Sequence, residues 1–372
     1  MKRRVVSLLF VLILSLNLGG CFNYTEINKI TFATSMVFDV DELNNVVIYL
    51  DCVRPYRNAN ESSDKGKKIL FQGKGKTILE AIRDMDVSSS NKINLSQVRA
   101  YIFTEKLARK GIKNYIDLIN NNQQLSFKPH MFVFYGDIDS LLKVSDTDEE
   151  YLGLYLDDLV NKNEGNGRVI KSNFKDYLVN GLMGDNISFM SALQIKKNEV
   201  DSKIELNGGV VMKDNHMIDK LEQKDALTYN LLMRNVNKGT LEVPNPEERD
   251  KLITLDILEE TNNTGMIFDG KDIILEKSLN IKVSLGEIQG KLIVNKEMID
   301  KIKINEEWKI KNYQETLFKN YQEKNIDIFG VSRLLEEKYP NMKMDDILSR
   351  TKLETKVNIV IDGSSLVKNS FK

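Results

Sequence analysis

The sequence is poor in the residues that most often carry chemistry. Its 372 residues include two cysteines, two histidines, one tryptophan and five prolines. Two cysteines exclude a disulfide framework and a four-thiolate zinc site. His130 and His216 stand far apart with no second His or Cys at ligand spacing, so each is expected as a packed or exposed histidine. There is no Gly-x-Ser-x-Gly elbow and no His-Glu-x-x-His pair. An excess of one charge is missing too: 53 Lys and Arg face 54 Asp and Glu, a formal net charge of -1. A general nucleic-acid binder needs a basic excess to neutralise phosphates, so no nucleic-acid partner is expected. What is abundant is core material, 41% hydrophobic residues, which rules out wholesale disorder. Single cores stop growing near roughly 250–300 residues, so two or three domains are expected.

The first twenty residues set the compartment. Lys2, Arg3 and Arg4 precede an apolar run from Val5 to Leu18. At about fourteen residues the run is short for a spanning helix, which needs ~20, and suits a signal-peptide core. Leu18-Gly19-Gly20-Cys21 then has the lipobox pattern, in which small residues enter the signal peptidase and the Cys21 thiol takes a diacylglycerol. Residues 1–20 are therefore expected to be removed and Cys21 to be lipidated. Loss of three basic residues and no acid would leave a formal charge of -4. The alternative is an ordinary signal peptide with Cys21 paired to Cys52, because the exported side tolerates disulfides. Each buried CH₂ contributes about 0.8 kcal/mol, and two or three acyl chains hold a protein stably on a bilayer. No later run approaches eighteen uninterrupted apolar residues, so the remainder is expected on the membrane rather than through it.

Along the rest of the chain, strands are expected over Glu26 to Arg54, in two runs, and around Ile69–Phe71, Phe132–Tyr135, Ile204–Met212, His216–Leu221, Ile253–Leu258, Ile273–Leu285 and Val357–Ile361. Helical spacing marks Ile112 to Ile119, Leu152 to Leu159 and Glu222 to Arg234. Thr77-Ile78-Leu79-Glu80 has capping-box spacing at a helix start. A long polar helix follows Asn295, with an apolar stripe broken at Asn305 to Glu307, so one kinked helix and two helices fit equally. A further helix runs from Asp327 to Tyr339 before Pro340. The absence of a clean βαβ rhythm points to an α+β, multidomain fold with largely antiparallel sheets. The polar break Lys196 to Lys203 divides residues 21–200 from residues 201–372, and the second part admits two subdomains.

Several stretches imitate functional motifs. Gly73-Lys74-Gly75-Lys76-Thr77 suggests a phosphate loop, but the glycine that motif requires at position 70 is Leu70, leaving a turn and a helix cap. Asp146-Thr147-Asp148-Glu149-Glu150 resembles the start of a calcium loop, yet Tyr151 stands where the turn glycine belongs, leaving a solvated acidic helix start. Asp157-Asp158 and Glu306-Glu307 are paired carboxylates of the kind common on solvated faces. Cys52 lies in a strand pattern and is expected as a small buried hydrophobe. No catalytic, cofactor or metal residue is expected, and the chain does not read as an enzyme.

With the lipobox, four stretches in order resemble the Ger(x)C family of spore germination lipoproteins. Cys21-Phe22-Asn23-Tyr24-Thr25-Glu26-Ile27-Asn28 is similar to the family's mature start, with Phe22-Asn23 in place of Trp-Asp. Gly75 to Ala81 followed by Val98 to Gly111 resembles its capped helix, strand and helix end. Gly208 to Leu221 resembles its hairpin, with Asp219 in place of a common glycine. Asp327-Ile328-Phe329-Gly330 with Pro340 resembles its Asp-Ile-Phe-Gly block, with Ser332 in place of a glycine and no Trp after the proline. The resemblance implies a C subunit of a nutrient germinant receptor, on the outer face of the spore inner membrane, beside A and B subunits. It implies three α+β domains and assigns a role to Cys21 alone. A solute-binding lipoprotein serving a membrane transporter is the alternative.

Overall fold

The computed structural model describes Arg3 and residues 26–54, 67–143, 151–197, 202–234, 236–341 and 344–364. The described chain holds strands β1 (Ile30–Val40), β2 (Val46–Arg54) and β3 (Lys67–Gly75), helix α1 (Ile78–Ser88), then β4 (Lys92–Asn94) and β5 (Ala100–Thr104). Helices α2 (Glu105–Lys110) and α3 (Lys113–Asn121) lead to β6 (His130–Tyr135), and α4 (Ile138–Lys143), α5 (Leu152–Lys162) and α6 (Phe174–Asn180) lead to β7 (Ile187–Lys197). Then come β8 (Ser202–Lys213), β9 (His216–Leu221), α7 (Gln223–Met233), β10 (Thr240–Pro244), β11 (Leu252–Phe268), β12 (Ile273–Ile288), α8 (Lys296–Glu323), α9 (Val331–Lys338) and β13 (Thr351–Ser364). The architecture is α+β with two sheets.

The larger sheet has the order β3-β2-β1-β5-β6-β7-β8-β9, with β4 beside β1. Its centre, β1-β5-β6-β7, is parallel, while β3-β2-β1 and β7-β8-β9 are antiparallel. The parallel centre follows from burial on both faces. Every residue of β5 is buried, Tyr101 and Phe103 toward one face, Ala100 and Ile102 toward the other. Helices α1, α2, α3 and α6 cover the first face, and α4 and α5 the second. Covered faces allow an unbroken apolar run, which is the usual sequence of a parallel strand.

Local chemistry places the element ends. Thr77 Oγ1 accepts from the Glu80 N–H at 3.2 Å and so caps α1. The Glu80 carboxylate reaches one residue further than a standard capping box, accepting from the Lys76 N–H at 2.8 Å. Asp214 and Asn215 both have positive φ, as a tight hairpin turn requires, and they join β8 to β9. Asp219 pairs with Val211 within the hairpin, with one register shift in the β8–β9 ladder around Ile218.

The smaller sheet, β10-β11-β12-β13, is antiparallel except for β12 and β13. Its long helix α8 is one unbroken element across Asn305 to Glu307, begun by the Asn295 side chain accepting from the Met298 N–H at 2.9 Å. A third core joins the sheets: Ile187 and Phe189 of β7, Tyr229 and Leu232 of α7, Phe318 of α8, Ile328 and Phe329, and Ile273 and Leu275 of β12. Strands β7 and β8 pair with each other across residues 198–201, which are outside the described residues.

Candidate functional site

Cys21 lies outside the described residues, five positions before Glu26, where the described fold proper begins. Cys52 is a free thiol buried on β2. Burial pushes that thiol up to about 12, far from the thiolate a nucleophile needs.

The phosphate-loop imitation is explained by packing. Gly73 and Gly75 belong to β3, and a Cβ on Gly73 would stand 2.0 Å from the Ala81 carbonyl oxygen of α1. Glycine lets the helix lie against the strand. The amides that a phosphate would need are taken by carboxylates: the Lys74 N–H donates to Asp84 Oδ2 at 3.0 Å and the Lys76 N–H to Glu80. Asp146 to Glu150 lie outside the described residues.

The two histidines serve separate local contacts. His130 Nε2 lies 3.3 Å from Asp157 Oδ1, and burial lowers its proton affinity while Asp157 pulls the other way. His216 is exposed at the β8–β9 turn, its Nδ1 2.9 Å from the Asp214 carbonyl oxygen. Among the described residues no cluster of three or more His, Cys, Asp or Glu is placed to hold a metal ion.

The Asp-Ile-Phe-Gly block is a joint. Asp327 accepts from the Val331 N–H at 3.0 Å and from the Ser332 N–H at 2.7 Å, closing the start of α9. Ile328 and Phe329 enter the core between the sheets, and Gly330 takes a left-handed conformation that glycine allows without strain. Beside this joint is a cavity of about 240 Å³ lined by residues including Asp185, Phe189, Tyr229, Lys277, Asp327 and Arg333. Lys277 is only 3% exposed. Its ammonium donates to the Leu232 carbonyl at 2.9 Å and to Thr264 Oγ1 at 2.6 Å. Burial lowers it to about 8 against the pull of Glu260, and burial raises Glu260 to about 7 although the Val236 N–H donates to it at 2.8 Å. Sequence reasoning missed this pair. The signal was the core parity of β12, where Lys277 interrupts Ile273, Leu275, Leu279, Ile281 and Val283.

A second cavity, about 310 Å³, opens between α7, α8 and β10. Leu227, Leu231, Leu241 and Ile310 line it with aliphatic surface, and Arg168, Lys224, Glu242, Glu306 and Lys309 bring charge. The carboxylate pair splits here. Glu306 turns inward at 1% exposure and meets Lys309 Nζ at 3.3 Å, whereas Glu307 Oε1 accepts from the Ile359 N–H of β13 at 2.8 Å. Burial raises Glu306 to about 7, with Lys309 opposing.

Comparison with known proteins agrees with the fold. Residues 23–191 match the family described as spore germination protein N-terminal domain, and residues 207–365 match the spore germination B3/GerAC-like C-terminal family. The chain is 25% identical over 335 residues to the spore germination protein GerQC of Bacillus cereus, covering 90% of each. It is 27% identical over 147 residues, 38% of each chain, to the putative spore germination protein YfkR of Bacillus subtilis strain 168. In three dimensions it is similar to the crystal structure of the GerBC protein, with a TM-score of 0.56 at 15% identity over 90% of this chain and 99% of that one.

Proposed function

The chain belongs to the Ger(x)C family of spore germination proteins, and from that premise we propose that it is the lipid-anchored C subunit of a nutrient germinant receptor. The observation that carries the reading is the pair of germination domains that follow, in order, directly behind Leu18-Gly19-Gly20-Cys21. In this reading the signal peptide 1–20 is removed and Cys21 carries the acyl chains, on the outer face of the spore inner membrane. Among the described residues no helix is long and apolar enough to cross a membrane. Five residues reach at most about 18 Å, so the lipid keeps Glu26, where the described fold begins, close to the headgroups. Confinement to that layer raises the effective concentration of the subunit beside membrane-embedded partners.

The subunit acts without catalysis, through surfaces that meet the A and B subunits, with residues 21–200 and 201–372 as its two parts. The solute-binding alternative requires two α/β lobes around a cleft. One large mixed sheet joined through a shared core to a four-stranded sheet is a different arrangement. Purification of the tagged full chain from spore membranes tests the assembly: the reading predicts recovery with a multi-spanning protein and a second subunit. Recovery of the chain by itself from the soluble fraction would contradict it.

A further inference from the structure

We propose that the cavity between α7, α8 and β10 binds a small molecule carrying one carboxylate on a short aliphatic body. The inference rests on this chain's own residues and stands apart from the receptor assignment. At about 310 Å³ the cavity lies within the range of small-ligand sites. Its floor is aliphatic, and Leu231, Leu241 and Ile310 are almost fully shielded from solvent. An alkyl chain of a few carbons gains there what water denies it.

The charges decide the head group. Arg168 Nη2 lies 3.1 Å from Glu242 Oε1 and donates to Thr240 Oγ1 at 3.3 Å. Lys309 meets the Glu306 carboxylate and also donates to the Glu242 carbonyl oxygen. These two cations and two acids balance one another. Lys224 remains: it makes no ion pair with a carboxylate of the lining, Asp225 beside it on α7 feels its charge from outside the lining, and its ammonium is held over the Tyr313 ring, 4.1 Å from the centroid. The lining thus carries three cations and two acids, one negative charge short of balance with Glu306 ionised and two short with it protonated. A carboxylate at Lys224 supplies it, whereas an amine would add to the excess. The ring contact holds the ammonium at the site before the ligand arrives, which reduces the ordering that binding must do.

Glu306 adds a pH dependence. It meets Lys309 on its own helix, feels Glu242 on β10, and shares the cavity with Arg168 from the segment after α5 and Lys224 on α7. Raised to about 7 by burial, it is partly protonated near neutrality, and an arriving anion favours the protonated form. Affinity therefore rises as the pH falls from about 8 to about 6.

Calorimetric titration of the purified full-length protein with 4-methylpentanoate, leucine and 3-methylbutylamine tests the site. The two carboxylates are expected to bind saturably, with dissociation constants of about 1 mM or tighter, and the amine without a carboxylate is not. Tighter binding of leucine identifies an amino acid as the occupant, and tighter binding of 4-methylpentanoate identifies a simple acid; each supports the carboxylate site. Lys224 is exposed, so Lys224→Met leaves the fold intact and is expected to weaken both carboxylates about tenfold, with Lys224→Arg restoring most of it. The proposal is overturned if neither carboxylate gives saturable binding by about 20 mM, if Lys224→Met binds as the parent does, or if the amine binds as tightly.

Discussion

Glu306 shows what a single residue can hide. In sequence it is half of an unremarkable acidic pair; in the fold it is buried with Lys309 as its cation and its carboxyl raised to about 7. The direction sets a pH effect. Below about 4.5 the carboxyl is protonated in both states and contributes nothing. Between 4.5 and about 7 the unfolded chain has released its proton while the folded chain keeps it, so stability falls as pH rises; above that the full penalty persists. Glu306→Gln is therefore predicted to raise the melting temperature at about pH 8 and to leave it unchanged at about pH 4. A lower melting temperature at the higher pH would mean that the Lys309 pair outweighs its desolvation. Lys277 was legible in principle, because it breaks an apolar alternation. Glu306 was not, because a 28-residue helix offers no strict period from which a buried acid would stand out.

At the scale of elements, helix starts were the most legible features. Thr77 and Asn295 cap the helices the sequence assigns to them, since a side-chain oxygen before a helical run satisfies a free amide in any context. Thr77→Ala is predicted to cost about 1 kcal/mol, measurable by urea denaturation. The parallel centre of the large sheet was not legible. Its crossovers string two or three short helices together, α2 with α3 and α4 with α5 and α6, so no simple strand-helix-strand rhythm shows, and β5 is buried on both faces. Helix α8 also covers one of the two edges of the smaller sheet, β13. Glu307 accepts from the Ile359 N–H, and Gln322 Nε2 donates to the Thr351 carbonyl at 2.8 Å. Such cover blunts an edge that would otherwise pair with another chain. Gln314 lies between them on the helix, fully buried, with neither amide atom hydrogen-bonded. An apolar replacement removes that penalty, so Gln314→Leu is predicted to stabilise the protein by about 1 kcal/mol in the same assay. A destabilised variant would show that the amide finds a partner there.

The whole molecule is held together by the core that Ile328 and Phe329 enter between the sheets. Phe329→Ala is predicted to cost about 3–5 kcal/mol and to lower the thermal transition, because its ring touches Tyr229 and Phe318 at the junction. From sequence, the α+β class and the family were legible, since both rest on local patterns repeated along the chain. The packing of one half on the other was not, because it depends on which apolar residues meet across long separations. The anchor is the central claim of the proposed function, because a subunit that acts through membrane-embedded partners has to be held beside them. Replacing Cys21 by Ala and following both membrane fractionation and nutrient-triggered germination tests it most directly. The account predicts a protein released from the membrane and spores that respond poorly to nutrient. A fully soluble protein with unchanged germination would contradict it.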